Sequence, residues 1–176
     1  YLYFPTKEEL FLVLYDRLLR DWFDEVDEGL RESSTRGAEA VAALLSRSLT
    51  ERPELARLIA ILASVLERNI RPETAREHKR WMVSRVEGTG RLLEASLCPP
   101  GAAPGGPGCA AAESGTWILI CLHSLVAGLG PLASPSPIVA GILAEEGMER
   151  LRINFGAALN KAILAIVRNV GETKGE

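Results

Sequence analysis

Two histidines, His78 and His123, and three cysteines, Cys98, Cys109 and Cys121, are the side chains best suited to metal, nucleophilic or acid–base chemistry in this 176-residue chain. Their spacing assembles none of these. The histidines fall on different apolar-periodic segments, and no His-Glu-x-x-His pair offers two ligands from one helix face. The odd cysteine count and the lack of a Cys-x-x-Cys step argue against a zinc site or a disulfide framework. Reduced thiols are expected, although Cys98 and Cys109 flank one loop and can approach each other. No Gly-x-Ser-x-Gly elbow and no Gly-x-x-x-x-Gly-Lys-Ser/Thr cradle occurs. The Gly-rich run at 101–108 lacks a following Lys and lies between helical segments rather than after a strand. Glu8/Glu9 and Glu145/Glu146 are sequence neighbours, which point apart on a helix and serve solvation. A catalytic site needs titrating groups that converge. The chain is therefore read as non-enzymatic, with no catalytic residue, no metal and no cofactor.

The elements that carry these residues are helical throughout. Residues 6–32 place Leu10, Leu14, Leu18, Trp22, Val26 and Leu30 at steps of four, broadened by Phe11, Tyr15, Leu19 and Phe23, as in a long amphipathic helix. Thr6 with Glu9 forms a capping-box pattern at its start. Further helices are expected over 38–50, 53–69 and 72–97, the last two opened by Pro53 and Pro72 at first-turn positions. Gly88 and Gly90 interrupt the 72–97 helix and permit a bend or a close approach. Residues 98–112 are too rich in Pro and Gly to continue it and form a flexible loop. A helix over 114–130 is apolar almost all round and must be covered on all sides; Gly130-Pro131 is expected to end it. A short helix at 137–146 and a last one at 148–170, with Leu151, Phe155, Leu159, Ile163, Ile166 and Val170, complete an all-α bundle of about seven helices. No segment alternates apolar and polar residues as a strand would.

An apolar content of 47% supports one core in a chain of this length, and a net charge of −3 argues against a broad nucleic-acid surface. No apolar run of the roughly 18 residues needed to span a bilayer is read, and no secretory leader is visible, so no membrane partner is expected.

Residues 1–10, Tyr-Leu-Tyr-Phe-Pro-Thr-Lys-Glu-Glu-Leu, resemble the junction after the recognition helix in TetR-family transcriptional regulators. The order of helices resembles that family over the whole chain, and Glu67-Arg68-Asn69-Ile70-Arg71-Pro72-Glu73-Thr74-Ala75 is more loosely similar to a turn in some members. The family places about three DNA-binding helices before this junction. The resemblance implies that residues 1–5 are the end of a DNA-binding head and that 6–176 form the effector-binding and dimerisation domain, with a flexible loop at 98–112.

Roles for single residues follow from the resemblance. Tyr1, Tyr3 and Lys7 would touch DNA phosphates, and Phe4 would pack the head against the long helix. Trp22, Leu62, Leu66, His78, Met82, Trp117, Cys121 and Ser124 would line a pocket for a small, apolar or aromatic effector, although such residues at helical spacing are more often plain core; Trp81 and Arg85 would flank it. Leu119, Leu122, His123, Val126, Phe155, Leu159, Ala162 and Ile166 would form the interface of a homodimer. The implied protein is a cytoplasmic, ligand-released repressor that binds operator DNA. The alternative is a small-molecule-binding bundle or scaffold with no DNA function.

Overall fold

Seven α-helices and one 3-10 turn follow one another with no strand among the described residues. The computed structural model describes residues 7–32, 34–62, 70–99, 101–102, 106 and 109–172, with side chains except at 7, 62, 171 and 172. The helices are α1 (Lys7–Arg31), α2 (Gly37–Thr50), α3 (Pro53–Leu62), α4 (Pro72–Ser96), α5 (Ser114–Ala133), α6 (Pro137–Ile142) and α7 (Phe155–Glu172). Helix α5 packs against α3, α4 and α7; α7 also lies along α2, and α1 covers α2, α3 and α4.

The buried face of α1 is Leu12, Tyr15, Leu19, Trp22, Phe23, Val26 and Leu30. The expected four-step stripe is correct only in its second half. Leu10, Phe11 and Leu14 are about half exposed instead. At about 100° per residue, each four-residue step turns the helix about 40° past a full turn, so such a stripe winds off any flat face within a few steps.

Helix α1 runs parallel to α4 and is bonded to it at a constant offset. Glu9 accepts from Arg71, Asp16 pairs with His78, and Asp27 accepts from Thr89, each pair 62 residues apart. The α1 members are separated by 7 and 11 residues, close to two and three whole turns, so they share one face. Arg85 adds bonds to Asp24 at 2.7 Å and Asp27 at 3.3 Å, and Ser96 donates to the Leu30 carbonyl.

The α4–α5 corner is the tightest crossing. A Cβ on Gly115 would collide with the Gly90 carbonyl group, and one on Gly90 would sit 3.0 Å from the Thr116 nitrogen. Of the two glycines in α4, Gly90 therefore makes a close approach, whereas Gly88 has nothing within 4 Å. Glu94 accepts the Gly115 N–H at 3.1 Å, supplying the acceptor that a helix start needs. Cys98 and Cys109 form a disulfide across the intervening loop, with Cα atoms 4.2 Å apart. This corrects the expectation of reduced thiols, which rested on cysteine count and not on where the loop ends meet.

Other boundaries also moved. Pro131 does not end α5. In the last turn it removes a single donor, and the helix closes at Ser134, whose N–H donates to the Gly130 carbonyl. Helix α7 begins at Phe155, because Asn154 accepts the Ala157 N–H as its cap. Leu151 lies in the preceding 3-10 turn and is 66% exposed. The α6 helix stops at Ile142, and none of its residues is buried. Counter to the expectation, α5 is long and apolar enough to cross a bilayer by length and composition. In this fold its Ile118, Leu119, Leu122 and Val126 belong to the core.

Gly115→Ala is expected to cost about 3 kcal/mol, the upper range for overpacking, since the Cβ would meet backbone that cannot rotate away. Gly88→Ala is expected to stabilise by up to about 1 kcal/mol through helix propensity. Urea denaturation checks both, and the midpoints should move in opposite directions.

Candidate functional site

A cavity of about 250 Å³ lies between α1, α4 and α5. Tyr15, Leu19, Trp22 and Phe23 enter it from α1, and His78, Lys79, Met82 and Val86 from α4. Helix α5 contributes Leu119, Ile120, Leu122, His123, Ser124 and Val126, while Leu49 and Ile59 close it from α2 and α3. The wall is predominantly apolar and aromatic, as small-molecule sites are.

Most of its polar groups already have partners. The Trp22 indole N–H donates to Ser48 Oγ at 2.8 Å, and Ser48 donates to the Leu45 carbonyl at 3.0 Å. Ser124 Oγ donates to the Ile120 carbonyl at 2.9 Å. His78 differs. Its ring is buried, with Nδ1 2.6 Å from Asp16 Oδ1, but Nε2 is buried with no hydrogen-bond partner among the described residues. Around it, the Tyr15 and Trp81 rings have centroids 5.7 and 6.2 Å away. Trp81 in turn carries the Arg20 guanidinium 4.1 Å above its ring.

Of the residues expected in the pocket, Trp22, His78, Met82 and Ser124 line the cavity. Trp117 does not: it is 56% exposed on the outer side of α5. Cys121 is half-buried on the same helix and outside the lining, and its partial burial pushes the thiol up from its ordinary value. The side chains of Leu62 and Leu66 lie outside the described residues, as do Tyr1, Tyr3 and the side chain of Lys7. Trp81 and Arg85 stand behind the lining, held by Arg20 and by Asp24 with Asp27.

The residues expected at a dimer face are redistributed. Leu119, Leu122 and Val126 are buried within the chain and line the cavity, joined by half-buried His123. Leu159 is fully buried on α7. None of these four buried or lining α5 and α7 leucine and valine side chains has surface left for a second copy. Phe155, Ala162 and Ile166 are half-buried. The exchange on α5 has a simple cause: a helix apolar on every side carries no polar residue to mark its phase. Tyr15, Leu19, Phe23, Lys79 and Val86 were not anticipated in the lining. The pairing of Asp16 with His78 at the α1–α4 offset is the signal that would have located them.

Outside the cavity, three carboxylates are held below their ordinary value of 4.5 by arginines: Glu9 by Arg71, Glu25 by Arg52 and Glu39 by Arg168. Among the described residues, no three His, Cys, Asp or Glu side chains converge as metal ligands.

The family model described as "Tetracyclin repressor-like, C-terminal domain" matches residues 16–168. No curated protein matches the chain.

Two outcomes follow from this chemistry. Asp16→Ala leaves the buried His78 Nδ1 without its acceptor and is expected to cost about 1–3 kcal/mol, while Asp24→Ala, at an exposed carboxylate, is expected to cost under about 1 kcal/mol. Chemical denaturation of the two variants checks the contrast. The lowered carboxylates contribute stability that is complete above pH 4.5 and is lost as pH falls through their folded values. A pH series of melting temperatures should therefore fall below about pH 4.5, and less steeply in a Glu9→Gln, Glu25→Gln, Glu39→Gln triple variant.

Proposed function

Because the chain belongs to the Tetracyclin repressor-like C-terminal domain family, we propose that it is the effector-sensing and dimerising part of a ligand-responsive transcriptional repressor. A small apolar or aromatic compound occupies the cavity and favours one setting of α1. Helix α1 leads from the DNA-binding head, where Tyr1, Tyr3 and Lys7 make phosphate contacts that position the protein without reading bases. Lys7, in the first turn of α1, adds its ammonium to helix-end N–H groups that favour anions. Two heads in a homodimer must match a fixed half-site spacing. An effector that prefers a different setting of α1 weakens operator binding by its differential affinity for the two settings. The protein acts in the cytoplasm alongside its operator.

One observation supports this most directly. His78 lines the cavity and is bonded to Asp16 on α1, so a single side chain touches both the ligand space and the helix that would carry the response. The homodimer would form through α5 and α7 as an isologous four-helix face. Its contacts are exposed Trp117 with half-buried Cys121 on α5, and Phe155, Ala162 and Ile166 on α7. Small Ala158 and exposed Ala165 on α7 favour close helix approach.

The test is a thermal-shift screen against lipophilic and cationic compounds, followed by DNA-binding titration of the full-length protein with each hit. A ligand at 100 times its Kd should add about 2.7 kcal/mol of stability. The same ligand should weaken binding to the promoter DNA by about 5–150-fold, the usual range of such coupling. Hits that stabilise the protein and leave DNA affinity unchanged would instead favour a binding scaffold with no DNA function.

A further inference from the structure

We infer that the cavity selects a small aromatic ligand bearing a hydrogen-bond donor, a phenol or an aromatic amine, and that His78 Nε2 accepts that hydrogen bond. This rests on the effector-pocket reading above and gives its ligand a chemical class.

The proton inventory of one imidazole carries the inference. Nδ1 lies 2.6 Å from Asp16 Oδ1. An ionised carboxylate only accepts, so the shared hydrogen belongs to Nδ1. In the neutral ring, Nε2 is then a bare lone pair, its tautomer set by the bond at the other nitrogen. That lone pair is buried and unpartnered among the described residues, in a side chain that is 5% exposed and lines the cavity. Native proteins seldom leave such an atom unsatisfied, and each case needs an explanation. A ligand O–H or N–H supplies one. Two neighbouring donors, the Trp22 N–H and the Ser124 hydroxyl, are already used within the chain.

Size and wall chemistry narrow the class further. A dry apolar cavity of about 150 Å³ admits benzene. At about 250 Å³ this one suits two fused rings. Tyr15, Trp22 and Phe23 offer ring faces and edges to such a ligand, and stacked or edge-on aromatic contacts favour it over an aliphatic chain of equal volume.

The experiment compares 2-naphthol, 2-methoxynaphthalene, naphthalene and 2-naphthoate by calorimetric titration into the wild type, His78→Leu and Asp16→Asn. The wild type should bind 2-naphthol at least about tenfold more tightly than the methyl ether or the hydrocarbon, the equivalent of one recovered hydrogen bond. His78→Leu should retain naphthalene binding and lose the preference. In Asp16→Asn the amide can present either its N–H or its oxygen to Nδ1, so the tautomer is no longer fixed and the preference for the hydroxyl over the ether should shrink. Melting curves establish that each variant is folded, and the wild-type comparison stands even where one is not. Equal affinity for the three uncharged compounds, or a preference that persists in folded His78→Leu, would overturn the inference and leave the pocket in place. Tightest binding of 2-naphthoate would overturn it too, because His78 would then be the donor. If no compound binds, naphthalene included, the pocket reading fails and this inference with it.

Discussion

Helix α1 is held to α4 by a line of side-chain bonds at a single offset of 62 residues, and the rest of the molecule is arranged around that parallel pair. Exposed ion pairs contribute little individually. Glu9 with exposed Arg71 at one end, and exposed Asp24 with Arg85 one residue off that offset, serve mainly to set register. The inner members act differently. Asp27 and Thr89 are buried, as is His78, so their bonds cannot be exchanged for water without loss. Sliding α1 by one residue would break these buried bonds together.

The cavity sits where this seam meets α5. The start of α5 is fixed by the Gly90–Gly115 crossing, the Glu94 cap and the Cys98–Cys109 bridge, all at one corner. Two walls of the cavity are thus anchored to each other through that corner, and α1 is the wall joined mainly by side chains. Ligand volume added to the space presses on α1 through Tyr15, Trp22 and Phe23. This gives a physical basis for the proposed effector response.

The helices were legible in the sequence because their apolar periods are strong and Pro53 and Pro72 mark two starts. The family resemblance was legible from ten residues and the order of helices. The rest depended on phase and partners, which a single period does not encode. The four-step stripe in α1 winds away from the core before Leu12, leaving Leu10 and Leu14 outside. Helix α5 is apolar on every side, so its cavity face and outer face could be assigned either way; Trp117 and Leu119 were assigned to the wrong ones. The start of α7 is set by the Asn154 cap, which an apolar period does not encode. His78 and Met82, polar or soft residues on an inward face, line the cavity.

The central claim is that occupying the cavity resets α1 against the rest of the bundle through His78 and Asp16. The most direct measurement is the distance between spin labels at Val13 on α1 and Lys161 on α7, both exposed, with and without a ligand shown to fill the cavity. A shift of about 1–2 Å, the scale of helix movements in such switches, is predicted for the wild type and should be lost in His78→Leu. An unchanged distance with the cavity fully occupied would contradict the account.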